Sequence, residues 1–179
     1  MKIAFILPSL DHKGPIVAAQ NLIKSLMGKV EKIEVFYFND VSCLDMGVKA
    51  TKISFFKKHD LSDFDIINSY MAKADLYTAI FYGKNKNVIS TMHNYLGKDL
   101  ELLYGRFKSR AYKVIWKLSL RNNKVFIFSS SDMLVYYEKL LGGSLVNNVI
   151  EYGVEKRRVK DIEESHRNLI LNLKDKYTI

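Results

Sequence analysis

Two short stretches hold the groups best suited to bind or move a ligand. The first is Pro8-Ser9-Leu10-Asp11-His12-Lys13-Gly14-Pro15, which leads into the amino end of an expected helix. There Gly14 and the free N–H groups of a first turn, aided by the helix dipole, favour a phosphate or carboxylate. The spacing is neither the GxGxxG fingerprint nor a P-loop, and a plain turn explains it equally well. The second is Val88-Ile89-Ser90-Thr91-Met92, running into His93-Asn94. An imidazole at a strand end can hydrogen-bond a sugar hydroxyl or a phosphate, carry a proton, or simply close the strand. His12, His59 and His166 are scattered, without the i, i+4 spacing of a helical metal pair, so no metal is assigned. Ser129, Ser130 and Ser131 lack the context of a nucleophile elbow, and helix capping is the simpler role.

Both stretches need a scaffold that brings them to one edge. Ile3 to Leu7 is a continuous apolar run, as in a strand covered on both faces. A helix follows, with Pro15 in its first turn, Ile16, Ala19, Ile23, Leu26 and Met27 at helical spacing, and Gly28 as its stop. Further strands are expected at 33–38, 51–55, 65–69, 88–92, 124–128 and 146–151. A helix over about 72–82 has its stripe at Ala72, Leu76, Ala79 and Ile80, and another starts at Ser131 as cap and runs through Met133, Tyr137, Leu140 and Leu141. Strands alternating with helices predict an α/β fold: a Rossmann-like, doubly wound, largely parallel sheet of about seven strands over residues 1–154. In such a sheet ligands bind outside the carboxyl ends of the strands, where Gly14 and His93 both fall. Residues 155–168 are dense in charge and read as a linker or surface helix, and 169–179 as the start of something further.

The helix expected over about 104–121 is the most asymmetric element. Tyr104, Phe107, Ala111, Val114, Ile115 and Leu118 form an apolar stripe on one side. Arg106, Arg110, Lys113, Lys117 and Arg121 cluster nearly opposite, with Tyr112 and Trp116 near the boundary. Between Lys98 and Lys124 there are eight basic and two acidic side chains. Cations flanked by amphipathic aromatics suit an anionic membrane surface; an ordinary solvated face is the plainer alternative. No nucleic-acid-binding motif accompanies the charge, so no nucleic acid partner is expected.

Composition sets the outer limits. The chain has 179 residues, 48% hydrophobic and 26% charged, with 28 Lys+Arg against 19 Asp+Glu and a net charge of +9. That excludes a disordered or collagen-like chain and predicts attraction to anions. The lone Cys43 makes neither an intramolecular disulfide nor a multi-cysteine zinc site, which suits a reducing compartment such as the cytoplasm. No run of about 18 apolar residues is present to span a bilayer.

Taken in order, these residues resemble glycosyltransferase family 4, the retaining GT-B enzymes. Met1 to Leu10, then Gly14-Pro15 and Asn21-Leu22, look like its opening, and Asp65-Ile66-Ile67 its fourth strand. Ser90-Thr91-Met92-His93-Asn94 is similar to its histidine loop, Phe126 to Asp132 to its sixth strand and following turn, and Val149 to Val154 to the approach to its second domain. Asn68 and Tyr70 stand where the family often has histidines, Gly14-Pro15 replaces a commoner glycine pair, and Tyr152 replaces an asparagine. The resemblance implies the N-terminal, acceptor-binding half of a GT-B fold, moving a sugar from a nucleotide sugar to a polysaccharide or lipid-linked acceptor, with no metal and no separate cofactor. It implies that Gly14 and Pro15 position donor phosphate or acceptor, and that His93 and Asn94 contact the sugar in the cleft. The nucleotide sugar would be held by a second domain, whose first strand would begin near Leu173. A cleft wall without that domain is expected to self-associate as a homo-oligomer or to dock a second domain. The alternative from another class is a Rossmann-like binding module without turnover. On the leading reading the protein is cytoplasmic and peripheral on the inner face of the cell membrane.

Overall fold

The computed structural model describes residues 1–40, 44–83, 87–93, 95, 98–120, 125–142 and 146–150, with backbone alone at 98–104, 106, 146 and 147. Its elements, in chain order, are β1 (Lys2–Ser9), α1 (Gly14–Leu26), β2 (Lys32–Asn39), β3 (Ala50–Lys52), β4 (Ile66–Tyr70), α2 (Met71–Phe81), β5 (Asn87–Met92), α3 (Lys98–Leu120), β6 (Val125–Phe128), α4 (Ser131–Leu141) and β7 (Val146–Val149). The seven strands form one sheet in the order β3-β2-β1-β4-β5-β6-β7. Every pairing is parallel. The expected doubly wound α/β sheet is present, and its winding reverses between β1 and β4.

Side-chain alternation distributes the core between the two faces of β1. Ile3, Phe5 and Leu7 pack with Ile16, Ala19 and Ile23 of α1, whereas Ala4 and Ile6 pack with Ala74 and Tyr77 of α2. A third cluster joins Met92, Phe126 and Phe128 to Trp116 and Leu120 of α3 and to Met133 and Tyr137 of α4. Parallel neighbours require crossovers, and right-handed ones send α1 to one face and α2, which winds the other way, to the opposite face.

Several boundaries and faces differ from the sequence expectation. β1 runs on through Pro8 to Ser9, while β3 is only three residues long, although the Ile53 N–H still bonds the Tyr37 carbonyl at 2.8 Å. Ser130, not Ser131, caps α4, its hydroxyl accepting from the Met133 N–H at 3.3 Å. In α2 the buried side is Ala74, Asp75, Tyr77, Thr78 and Ala79, and Ile80 of the expected stripe is exposed. α3 is broken at Gly105, whose φ of 74° and ψ of 168° lie where only glycine is unstrained. Beyond that break, Phe107, Val114, Ile115 and Leu118 face solvent, and Trp116, Ser109, Ser119 and Leu120 face the protein. Trp116, expected at the boundary of the basic side, is buried. Cys43, Asn94, Arg121 and everything from Glu151 onward, including the expected linker and second-domain start at 155–179, lie outside the described residues.

Candidate functional site

The winding reverses between β1 and β4, and in such sheets ligands bind at the carboxyl edge beside that reversal, so the polar residues of this edge form the candidate site. Gly14 is the first residue of α1 and Pro15 occupies its first turn. The cap residue Lys13 is extended, at φ −85° and ψ 148°, and its side chain makes no capping hydrogen bond. The Ile16 and Val17 N–H groups turn back to the Lys13 carbonyl at 2.9 and 3.0 Å. A Cβ on Gly14 would meet nothing within 4 Å, so the fold itself has no need of a glycine there.

Asp11, in the same loop, is a residue that motif reading passed over. It is only 6% exposed; Lys13 Nζ lies 2.6 Å from Oδ2, and Oδ1 is buried with no hydrogen-bond partner among the described residues. A buried acceptor oxygen left bare costs roughly 1–3 kcal/mol, which a ligand hydroxyl would recover. No spacing rule marks such an atom; only its burial does.

From the next strand, Tyr70 closes β4 and the chain enters α2 without a loop. Met71 absorbs the bend at φ 70°, the one non-glycine residue in the left-handed region among those described. Such strain costs on the order of 1–3 kcal/mol and collects at ligand sites. Tyr70 is buried, its ring 6.2 Å from Phe5 of β1 and stacked on His93 at 4.9 Å with 27° between the planes. His93, directly after β5, is partly covered, and burial lowers its pKa from 6.5 to about 4. The ring is therefore neutral near pH 7, one nitrogen donating and the other accepting, which suits a hydroxyl better than it suits an anion.

At the same edge, β2 and β3 border a shallow hollow of about 530 Å³, lined by Phe38, Asn39, Phe55, Phe56 and Lys73 among others. Lys73 Nζ donates to Asn39 Oδ1 at 3.0 Å and lies 5.2 Å over the Phe38 ring. Phe56 is 90% exposed. An open aromatic face beside a cation matches the apolar face and acidic substituents of a glycan. Among the described residues no group of three His, Cys, Asp or Glu side chains could hold a metal ion.

The structure thus places Gly14, Pro15 and His93 on one edge, as expected, with Tyr70 bridging the strands between them. The residues expected at a membrane surface are described only in part. Arg110 is exposed, Lys113 and Lys117 are partly covered, and the side chain of Arg106, with all of Arg121, lies outside the described residues. No helix among the described residues is long and apolar enough to cross a membrane.

Comparison with known proteins adds to this geometry. No family model matches the chain. Two curated proteins of Escherichia coli, each named O-antigen biosynthesis glycosyltransferase WclY, are 30% identical to it over 167 residues, covering 87% of this chain and 45% of theirs. The chain therefore spans less than half the length of the curated relatives it matches. Among solved structures, Anabaena Alr3699/HepE in complex with UDP and glucose superposes on 97% of this chain and 50% of its own, with a TM-score of 0.66 and 17% identity. The all-parallel seven-stranded sheet matches one Rossmann-like half of a GT-B fold.

Proposed function

We propose that this chain is the acceptor-binding half of a retaining GT-B glycosyltransferase of family 4, with residues 1–154 as its domain and 155–179 leading toward a donor-binding half. It acts on the cytoplasmic side of the cell membrane, where a sugar passes from a nucleotide sugar to a polysaccharide or lipid-linked acceptor. In that reaction the bond from the anomeric carbon to the diphosphate breaks, a bond to an acceptor hydroxyl oxygen forms as that hydroxyl gives up its proton, and the nucleoside diphosphate leaves, its phosphate oxygen able to take that proton. The observation that carries the reading is the agreement of two independent likenesses over nearly the whole chain. One is in sequence, to enzymes named for O-antigen synthesis, and the other is in fold, to a structure holding UDP and glucose.

In this role the neutral His93 ring, fixed by stacking on Tyr70, exchanges hydrogen bonds with a sugar hydroxyl, and Asn94, the next residue in sequence, is proposed to contact the same sugar. The bare oxygen of Asp11 accepts from a second hydroxyl. The open space before Gly14 admits a phosphate or acceptor oxygen to the first turn of α1, which Pro15 starts. Phe56 and Lys73 lie farther along the edge, where a longer glycan would extend.

Because the donor is assigned to another half, the 179-residue chain should fold yet transfer no sugar from any of a panel of UDP- and GDP-sugars. Scanning calorimetry with the same panel checks the premise. Stabilisation by nucleotide sugars should be small, and a Kd tighter than about 10 µM would contradict the division of labour.

A further inference from the structure

We propose that the hollow bordered by β2 and β3 is a subsite for an acidic sugar, a hexuronate unit of the acceptor lying a few units away from its reacting end. This rests on the acceptor-binding reading and names the class of glycan which that reading leaves open. Asn39 ends β2 beside Ser9 of β1, and the sheet continues from β1 through β4 to β5. Three strand spacings of about 4.8 Å separate β2 from the strand that leads into His93, about 14 Å in all. One sugar ring does not span that distance, so a ligand that occupies both places is an oligosaccharide. The apolar wall of the hollow is not part of the core. Phe56 is 90% exposed, and its ring meets Phe55 edge to face at 5.4 Å and 89°, which braces it without covering it. A braced, open phenyl offers a flat face to the C–H side of a pyranose. Beside it, Asn39 Oδ1 accepts from Lys73, which leaves the amide NH2 group to donate to a sugar hydroxyl.

Charge selects the sugar. Two lysines line the hollow, and Lys52 is already paired with Asp40. Lys73 has no carboxylate partner among the described residues. Its Nζ lies over the rings of Phe38 and Phe55, at 5.2 and 5.7 Å from their centres, and is held there by the 3.0 Å bond to Asn39. Lys73 also stands in the first turn of α2, where the helix dipole disfavours a cation and no acidic residue offsets it. The helix gains nothing from a cation at that position. One fixed ammonium with N–H groups to spare matches one carboxylate. A neutral hexose would use the rings and leave the ammonium unpaired. A nucleobase would also stack on Phe56, but the diphosphate that comes with it carries more charge than one ammonium meets.

The test is an NMR titration of the 15N-labelled 179-residue chain with the methyl glycosides of glucuronic, galacturonic and mannuronic acid, and with their neutral glucose, galactose and mannose counterparts. At least one uronide should shift the amides of Asn39, Phe56 and Lys73 together, with a millimolar Kd about tenfold or more tighter than its neutral counterpart. Salt at about 0.5 M should narrow that gap. Phe56→Ala removes an exposed ring, so it should melt with the parent while uronide binding falls by about tenfold. Lys73→Gln should bind acid and neutral sugar alike, whereas Lys73→Arg should keep the preference. No shift at these amides with any uronide at about 50 mM, an equal response to acid and neutral sugars, or a preference that survives in Lys73→Gln overturns the proposal. So does UDP or inorganic phosphate that shifts the same amides more tightly than any uronide, which would give the hollow to a phosphate. Farnesyl-pyrophosphate-linked N-acetylglucosamine separates this result from the reading beneath it. A response to it at Gly14 and His93, with none to the uronides, keeps the acceptor site and removes the subsite. Uronide binding in the hollow, with no response at Gly14 and His93, removes the acceptor reading and keeps the preference of the hollow for acid.

Discussion

His93 and Gly14 can be separated from the fold by experiment, because each does something the chain itself does not require. Burial depresses the His93 pKa to about 4 against an ordinary 6.5, so between those values the unfolded chain binds the extra proton. The stabilisation that comes from His93 is therefore complete above pH 6.5 and is lost as pH falls toward 4. Asp75 has the opposite sign: burial raises it to about 7 against its hydrogen bonds, so its share is complete below pH 3.8 and lost as pH rises through 7. The two trends offset each other in the parent. His93→Gln should thus leave stability that declines as pH rises toward 7, and Asp75→Asn stability that declines as pH drops toward 4, both read as melting temperature against pH. Gly14→Ala should melt within about 0.5 kcal/mol of the parent, since its Cβ meets open space, yet weaken ligand binding at the first turn of α1. Both positions were legible in the sequence, because strand ends can be counted and the switch-point rule needs only their order. Asp11 was not, since a bare buried oxygen is a property of packing and leaves no trace in spacing.

Among the elements, α3 and α2 show where periodicity stops being informative. The pattern of α3 identifies two unlike sides, but hydrophobicity alone assigns the wrong one to the core. The deciding contact is a polar one, in which Asp75 on α2 accepts from Ser69 of β4 at 2.7 Å and from Trp116 of α3 at 3.1 Å, with Ser90 of β5 as a further partner. A fully buried carboxylate must be satisfied, and the indole that satisfies it turns α3 so that its aliphatic side faces out. The same residue defeats the expected stripe of α2, because a charged side chain scores as solvent-facing in any pattern. Asp75→Ala should strand the indole N–H and leave a small void, lowering stability by about 2–4 kcal/mol in denaturant melts, whereas Asp75→Asn, which keeps the shape and most partners, should lie within about 1.5 kcal/mol of the parent. Loss of the α3 docking in Asp75→Ala should also appear as a red shift of Trp116 emission.

For the molecule as a whole, seven parallel strands with one reversal of winding gather the carboxyl ends of β1, β4 and β5 at a single edge, and this much follows from strand-helix alternation. The central claim is that this edge receives the glycan acceptor. Its most direct test is an NMR titration of the 15N-labelled 179-residue chain with farnesyl-pyrophosphate-linked N-acetylglucosamine, with UDP-glucose as the contrasting ligand. The predicted result is that amides of Gly14 and Tyr70 and the ring of His93 shift together and saturate with the glycan, that His93→Ala weakens the binding by about tenfold, and that UDP-glucose binds no tighter than about 10 µM. Shifts confined to residues away from the carboxyl edge, no response to the glycan at millimolar concentration, or tight UDP-glucose binding by this chain alone would contradict it.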